Sequence, residues 1–274
     1  MTDQSPPYNG EAHSLQTKWP QVAVTGCGSW GKNLVRNFAE LGALGAACDA
    51  NPVALSRVKE QYHDIRTTGS YAEVLSDPRI QAIAIAMPAS DHFAHARQAL
   101  EAVKDVFVEK PLALTVADGR ALIEMAEKGG RLLMVGHLLR YHPAVIKLKE
   151  LVDSGSLGKI YYVYSNRLNL GKFRTEENIL WGFAPHDISA ILYLLGERPV
   201  EVQAHGGNYL DPNRADVTLT SFRFSSGVES GCRYRGVSPG VLRCSDLDED
   251  APLPEVLKKG TRPYREYKDS EHRA

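Results

Sequence analysis

The sequence predicts an α/β protein: a doubly wound parallel sheet in the N-terminal half and an α+β open-sheet domain behind it. Three observations carry this reading. From about residue 21 to 137, apolar runs of strand length alternate with amphipathic stretches of helix length, as in βαβ units. The first apolar run ends in a glycine-rich turn that opens a helix. After Gly136 the alternation stops, and longer, aromatic-rich runs with period-two patterning follow. The length, 274 residues, suits two modest domains.

In the first half, strands are expected at 21–25, 45–49, 81–87, 106–109 and 131–136, short and mostly apolar, as strands covered on both faces are. Helices are expected at 32–40, 92–103 and 115–128, with Ser90 and Thr115 as N-caps. In the second half a helix at 144–152 ends in Ser-Gly-Ser-Leu-Gly and a strand follows at 159–168. A further helix is expected from about Pro185 to Gly196, then strands near 200–204 and 216–224. The resulting division is a flexible leader (1–19), a dinucleotide-binding domain (20–137), a substrate domain (138–245) and a tail (246–274). In that tail 14 of 29 residues are charged against 24% for the whole chain, and it keeps no apolar period, so it reads as disordered.

Composition removes several function classes. Lys and Arg total 32 against 33 Asp and Glu, which gives no sequence-wide pull toward nucleic acid or an anionic membrane. The longest apolar runs, such as 80–89, fall far short of the roughly 18 to 20 residues that span a bilayer. The first twenty residues hold Pro6, Pro7 and Gly10 and no Lys or Arg before Lys18, unlike a signal peptide. Cys27, Cys48, Cys232 and Cys244 form no CxxC pair. A reduced, cytoplasmic location without disulfides or zinc is therefore expected.

The glycine turn is Gly26-Cys27-Gly28-Ser29-Trp30-Gly31, a GxGxxG between a strand and a helix. Gly26 would permit the tight turn, Gly28 the approach of a pyrophosphate to the backbone, and Gly31 the packing of helix on strand, with the phosphates at the positive helix N-terminus. Asp49 ends the second strand 18 residues after Gly31, placed to accept hydrogen bonds from the adenosine ribose. Its charge would repel a 2'-phosphate by at most about 4 kcal/mol at about 4 Å and an effective dielectric of about 20. Ala50 and Asn51 follow with no adjacent Arg, so NAD is expected over NADP.

Three further stretches fall at strand ends or a helix start. Met87-Pro88-Ala89-Ser90 leaves the strand at 81–87 beside the topological switch point, which offers Pro88, Ser90 and His92 to a cofactor or marks an ordinary loop. Glu109-Lys110-Pro111 ends another strand of the same sheet, where Lys110 is either a solvated strand-end lysine or a group that holds a substrate hydroxyl. His186, at the expected helix start, is either a surface histidine or a base for an alcohol proton.

Taken together, GxGxxG with Asp49, Glu109-Lys110-Pro111 and a His about 75 residues later resemble the glucose-fructose oxidoreductase, inositol dehydrogenase and MocA family, over roughly residues 21–224. The resemblance implies a Rossmann domain followed by an open-sheet α+β domain, with Lys110 and His186 acting at the substrate carbon. It implies NAD held by Gly26, Gly28, Ser29, Trp30, Gly31, Asp49, Pro88, Ser90, His92, Glu109 and Lys110. The stretch from Gly136 through Arg140, Tyr141 and Pro143, and that from Asn166 to Trp181, look like the branch that oxidises UDP-N-acetylglucosaminuronate at C3 for surface polysaccharide. On that branch Arg140, Tyr141, Arg167, Asn169, Lys172, Arg174 and Asn178 would bind the UDP-sugar, Arg gripping diphosphate or carboxylate bidentately. A solvated basic loop is the alternative for 166–178.

Two departures from the family pattern stand out. Many members carry an Asp four residues before the His, and here that position is Gly182. From about Ser225 no further strand pattern is visible, so a truncated or frame-shifted ending is expected there. Relatives commonly associate through the outer face of the large sheet, which implies a dimer or tetramer if the sheet is complete. Alternative functions are an NADPH-dependent sugar 3-ketoreductase and a non-catalytic NAD-binding regulator.

Overall fold

Every residue of β1 (Val22–Thr25) is buried, because this strand lies in the middle of a sheet covered on both faces. The computed structural model describes residues 19–169, 179–208, 215 and 217–236. After β1 come α1 (Gly31–Glu40), β2 (Leu44–Cys48), α2 (Pro52–Gln61), β3 (Arg66–Thr68) and α3 (Tyr71–Ser76). Then follow β4 (Ala82–Ile85), α4 (Ala89–Glu101), β5 (Asp105–Val108), α5 (Val116–Gly129) and β6 (Leu133–Val135). The six strands run parallel in the order β3-β2-β1-β4-β5-β6. Strand order reverses between β1 and β4, and that switch point opens a crevice at the carboxyl ends of the strands.

Side-chain alternation builds a core on each face. Ala23, Ile83, Ile85, Val106 and Val108 point to one side and pack with Ala96, Ala99 and Leu122 of α4 and α5. Val22, Val24 and Ala84 point to the other and pack with Leu34, Val35 and Val58 of α1 and α2.

The second half begins with a 3-10 turn (Leu138–Tyr141) and α6 (Pro143–Asp153). It continues with β7 (Tyr162–Asn169), α7 (Ile179–Leu195), β8 (Pro199–Gly207), β9 (Val217–Phe224) and β10 (Glu229–Gly236). The sheet order is β7-β10-β9-β8, with β10 antiparallel to β9 and parallel to β7. Helix α7 covers its inner face, where Ala184 and Ile191 meet Phe222, Phe224, Cys232 and Tyr234. Among the described residues no helix is long and apolar enough to cross a membrane.

Several expectations are corrected. Helix α7 starts at Ile179, six residues before Pro185, and Pro185 lies inside it. The proline removes one N–H from the helix ladder, but Gly182, Ala184, Asp187, Ile191 and Leu194 are buried along the helix, and this packing holds the turns on both sides of it. His186 is therefore a mid-helix residue. Ser90 is not an N-cap: α4 starts at Ala89 after Pro88 and no side chain caps it, whereas the Thr115 hydroxyl does accept from the Asp118 N–H at 3.1 Å. The strand pattern does not stop at Ser225. A turn with Gly227 at φ +83° leads into β10, whose inward residues are Ser230, Cys232 and Tyr234, all buried. Helix α2, strand β3 and helix α3 were not anticipated; α2 carries the local signals, Pro52 at its start and the Asn51 carboxamide accepting from the Val53 N–H at 2.9 Å.

Candidate active site

The three glycines of the turn have different reasons to be glycine. Gly26 sits at φ +86°, and a Cβ there would lie 2.8 Å from the Ala86 carbonyl carbon and oxygen. A Cβ on Gly31 would lie 1.6 Å from the Gly26 oxygen, so only glycine lets α1 start against the end of β1. A Cβ on Gly28 would meet nothing within 4 Å. The fold explains the first two and leaves Gly28 as open space at the start of α1, where a pyrophosphate would need to come close. The residues present thus fit a dinucleotide.

Asp49 follows β2 at the same edge. Its carboxylate accepts from the Cys27 N–H at 2.6 Å and the Asn51 N–H at 2.7 Å. It therefore shapes the glycine turn itself, and each oxygen keeps a lone pair for a ribose hydroxyl. Cys27 and Cys48 beside it are buried. Burial, with Asp49 close by, pushes their thiols up to about 12 and about 11, so they are neutral and unreactive.

At the end of β5, Lys110 joins Pro111 through a cis peptide. Its ammonium donates to the Gly182 carbonyl of α7 at 3.1 Å, which ties the two halves of the chain together. Gly182, four residues before His186, meets the lysine with its backbone oxygen. One helical turn on is His186, and burial pushes its imidazole down to about 4, helped by the charges of Lys110 and Arg167 and opposed by Asp187. His137, just past β6, is lowered as well, by burial first and then by Arg140 and Lys110. His137 and His186 each bury an Nδ1 that meets no partner among the described residues. The site is a neutral imidazole beside an ammonium, with guanidinium groups close enough to be felt.

His92 is placed differently from expectation. It is 1% exposed, with Nδ1 2.6 Å from the Pro111 oxygen and Nε2 2.8 Å from the Met87 oxygen. Both ring nitrogens thus face backbone carbonyls, so it pins the ends of β4 and β5 rather than facing a cofactor. Pro88, Ser90 and Ser29 are exposed at the crevice edge. Arg167 lies in β7, not in a loop, and its guanidinium donates to the Asp187 carboxylate at 2.7 Å. Arg140 stacks over the Tyr193 ring with 5.0 Å to the centroid, and Tyr141 is 64% exposed. The backbone of Asn169 ends β7; its side chain, with Lys172, Arg174 and Asn178, lies outside the described residues. Sequence reasoning assigned no role to His137 or Asp187. The position of His137 immediately after a strand of the same sheet was the available signal.

A model of the oxidoreductase family with an NAD-binding Rossmann fold, GFO/IDH/MocA, matches residues 21–137, and one of the GFO/IDH/MocA C-terminal domain matches 145–241. The chain belongs to the Gfo/Idh/MocA oxidoreductase family. Its N-terminal half is an NAD-binding Rossmann domain, and the second match runs past β10 and so past Ser225. Among its relatives, a 1-carboxy-3-chloro-3,4-dihydroxycyclohexa-1,5-diene dehydrogenase of Comamonas testosteroni is 29% identical over 80% of this chain and 62% of its own length. The chain thus spans less than two thirds of that family member. The UDP-N-acetylglucosamine 3-dehydrogenase GnnA of Acidithiobacillus ferrooxidans superposes with a TM-score of 0.71 at 27% identity, over 80% of this chain and 68% of that one. The WlbA dehydrogenase of Bordetella pertussis, solved with NADH and UDP-GlcNAcA, shares the fold at a TM-score of 0.71 and 22% identity, over 80% and 68%.

Proposed function

We propose that the protein oxidises a ring hydroxyl of an anionic sugar nucleotide with NAD, the C3 hydroxyl of UDP-N-acetylglucosaminuronate being the best fit. The observation that carries this is Lys110 beside an uncharged, half-buried His186, at the edge of an NAD-binding sheet. Bound NAD supplies the hydride acceptor. Lys110 donates a hydrogen bond to the reacting oxygen and holds it, while His186 takes the hydroxyl proton as the carbonyl forms. Burial and the surrounding cations disfavour the imidazolium, so His186 releases that proton to solvent and is reset. A substrate carboxylate or diphosphate would be attracted by Lys110 and Arg140, whereas Arg167 is already paired with Asp187. The likeness to the UDP-N-acetylglucosamine 3-dehydrogenase supports a sugar nucleotide, and the cations favour the uronate over the neutral sugar.

The test is absorbance at 340 nm after mixing stoichiometric protein and NAD with UDP-N-acetylglucosaminuronate, with UDP-N-acetylglucosamine as comparison. A rise specific to the uronate is expected. No rise with either sugar would overturn the proposal, and an equal rise with both would overturn its preference for an anion.

A further inference from the structure

Trp30 stands immediately before α1 in the glycine turn, and its ring is not buried: the residue is 46% exposed. Its indole N–H donates to Glu109 Oε1 at 2.7 Å, across 79 residues of sequence. Trp30 follows β1 and Glu109 follows β5, and β4 lies between those strands. With neighbouring strands about 4.8 Å apart, the contact reaches over roughly 10 Å of sheet edge. It therefore crosses the carboxyl end of β4, where the switch point places a dinucleotide's nicotinamide half.

The far end of this contact is fixed. Glu109 is 7% exposed, and its carboxylate also takes a hydrogen bond from the Lys110 backbone N–H. A Cβ on Gly136 would lie 2.9 Å from Glu109 Oε2, so glycine at the end of β6 leaves room for the carboxylate. A buried carboxylate needs donors, and Trp30 and the Lys110 amide supply them. One carboxylate thus joins the turn that meets the pyrophosphate to the peptide from which Lys110 projects.

We propose that Trp30 and Glu109 form a clasp over the end of β4 that builds the nicotinamide half of the dinucleotide site. The adenosine half, over Gly28 and Asp49, is built without it. Trp30 is a positioning residue in this arrangement, acting through Glu109 on the strand end that carries Lys110. The inference rests on the NAD-binding Rossmann domain and not on the sugar substrate, so it stands or falls separately from the proposed reaction.

The experiment is calorimetric titration of the full-length protein with NAD and, separately, with ADP, which lacks the nicotinamide half, followed in parallel by tryptophan emission. Trp30→Phe keeps an aromatic ring and removes the donor. Its affinity for NAD should fall about tenfold while its affinity for ADP stays within twofold, and the emission change that NAD causes in the parent protein should be largely lost. Glu109→Gln keeps a neutral acceptor and should fall between the parent and Glu109→Ala, which should match Trp30→Phe. An unchanged or tighter NAD affinity in Trp30→Phe would overturn the clasp. So would equal losses for NAD and ADP, or the absence of NAD binding to the parent protein.

Discussion

Gly28→Ala and Gly31→Ala should fail in opposite ways although they are three residues apart. The added methyl at residue 31 would lie 1.6 Å from the Gly26 oxygen, a backbone atom that cannot rotate away. Overpacking of this kind costs about 1 to 3 kcal/mol, and so severe an overlap belongs at the upper end. About 3 kcal/mol lowers Tm by roughly 10 °C in a domain of this size. At residue 28 the methyl meets nothing within 4 Å, so stability should stay within about 1 kcal/mol of the parent. The same methyl fills the approach of the pyrophosphate. Backbone hydrogen bonds to a charged group are worth about 1.5 to 3 kcal/mol, so losing one or two weakens NAD by at least about tenfold. Thermal melts followed by circular dichroism, with calorimetric NAD titration, separate the two effects. Parent-like NAD affinity in Gly28→Ala, or a melt as low as that of Gly31→Ala, would refute the assignment of that space to the cofactor.

Other outcomes follow from the same geometry. Lys110→Met should lower turnover at least about a hundredfold while NAD affinity, measured by calorimetry, stays within a few-fold. His186 acts as a base only when neutral, so kcat/KM should hold as pH falls below 6 and drop only near the residue's value of about 4. The unfolded chain binds that proton from about 6.5 downward, so stability in urea melts should decline from about pH 6.5 to about pH 4, less steeply in His186→Asn. Asp49→Asn should relax discrimination against NADP, up to about a thousandfold by the charge repulsion worked above. NAD should weaken too, since the same carboxylate holds the Cys27 and Asn51 amides.

The N-terminal half was legible because its signals are local. Short, nearly continuous apolar runs mark β1, β4 and β5, and Gly26, Gly28 and Gly31 stand in a GxGxxG whose spacing is itself the signal. Helix α2 could have been read from Asn51 and Pro52, whereas β3 is only three residues long and α3 only six. The second half was harder because long-range packing decides it. Pro185 signals a helix start locally, yet burial along α7 carries the helix through it. Strand β10 hides because Ser230, Cys232 and Tyr234 face inward instead of aliphatic residues, with Gly231 and Arg233 between them. The site shows the same contrast. Lys110 and His186 were singled out through a family pattern, and the structure brings them together. That Gly182 meets the lysine with its carbonyl, that Arg167 spends a donor on Asp187, and that His92 is locked between two carbonyls depend on distances no spacing encodes.

The central claim is that the hydrogen on the sugar carbon leaves as hydride to the cofactor held by this sheet, with Lys110 and His186 handling the oxygen. The most direct measurement is mass spectrometry of the NADH recovered after one turnover with UDP-N-acetylglucosaminuronate deuterated at C3. One deuterium per NADH, lost together with turnover in Lys110→Met, is the predicted result. NADH formed without deuterium, or undiminished deuterium transfer in Lys110→Met, would contradict it.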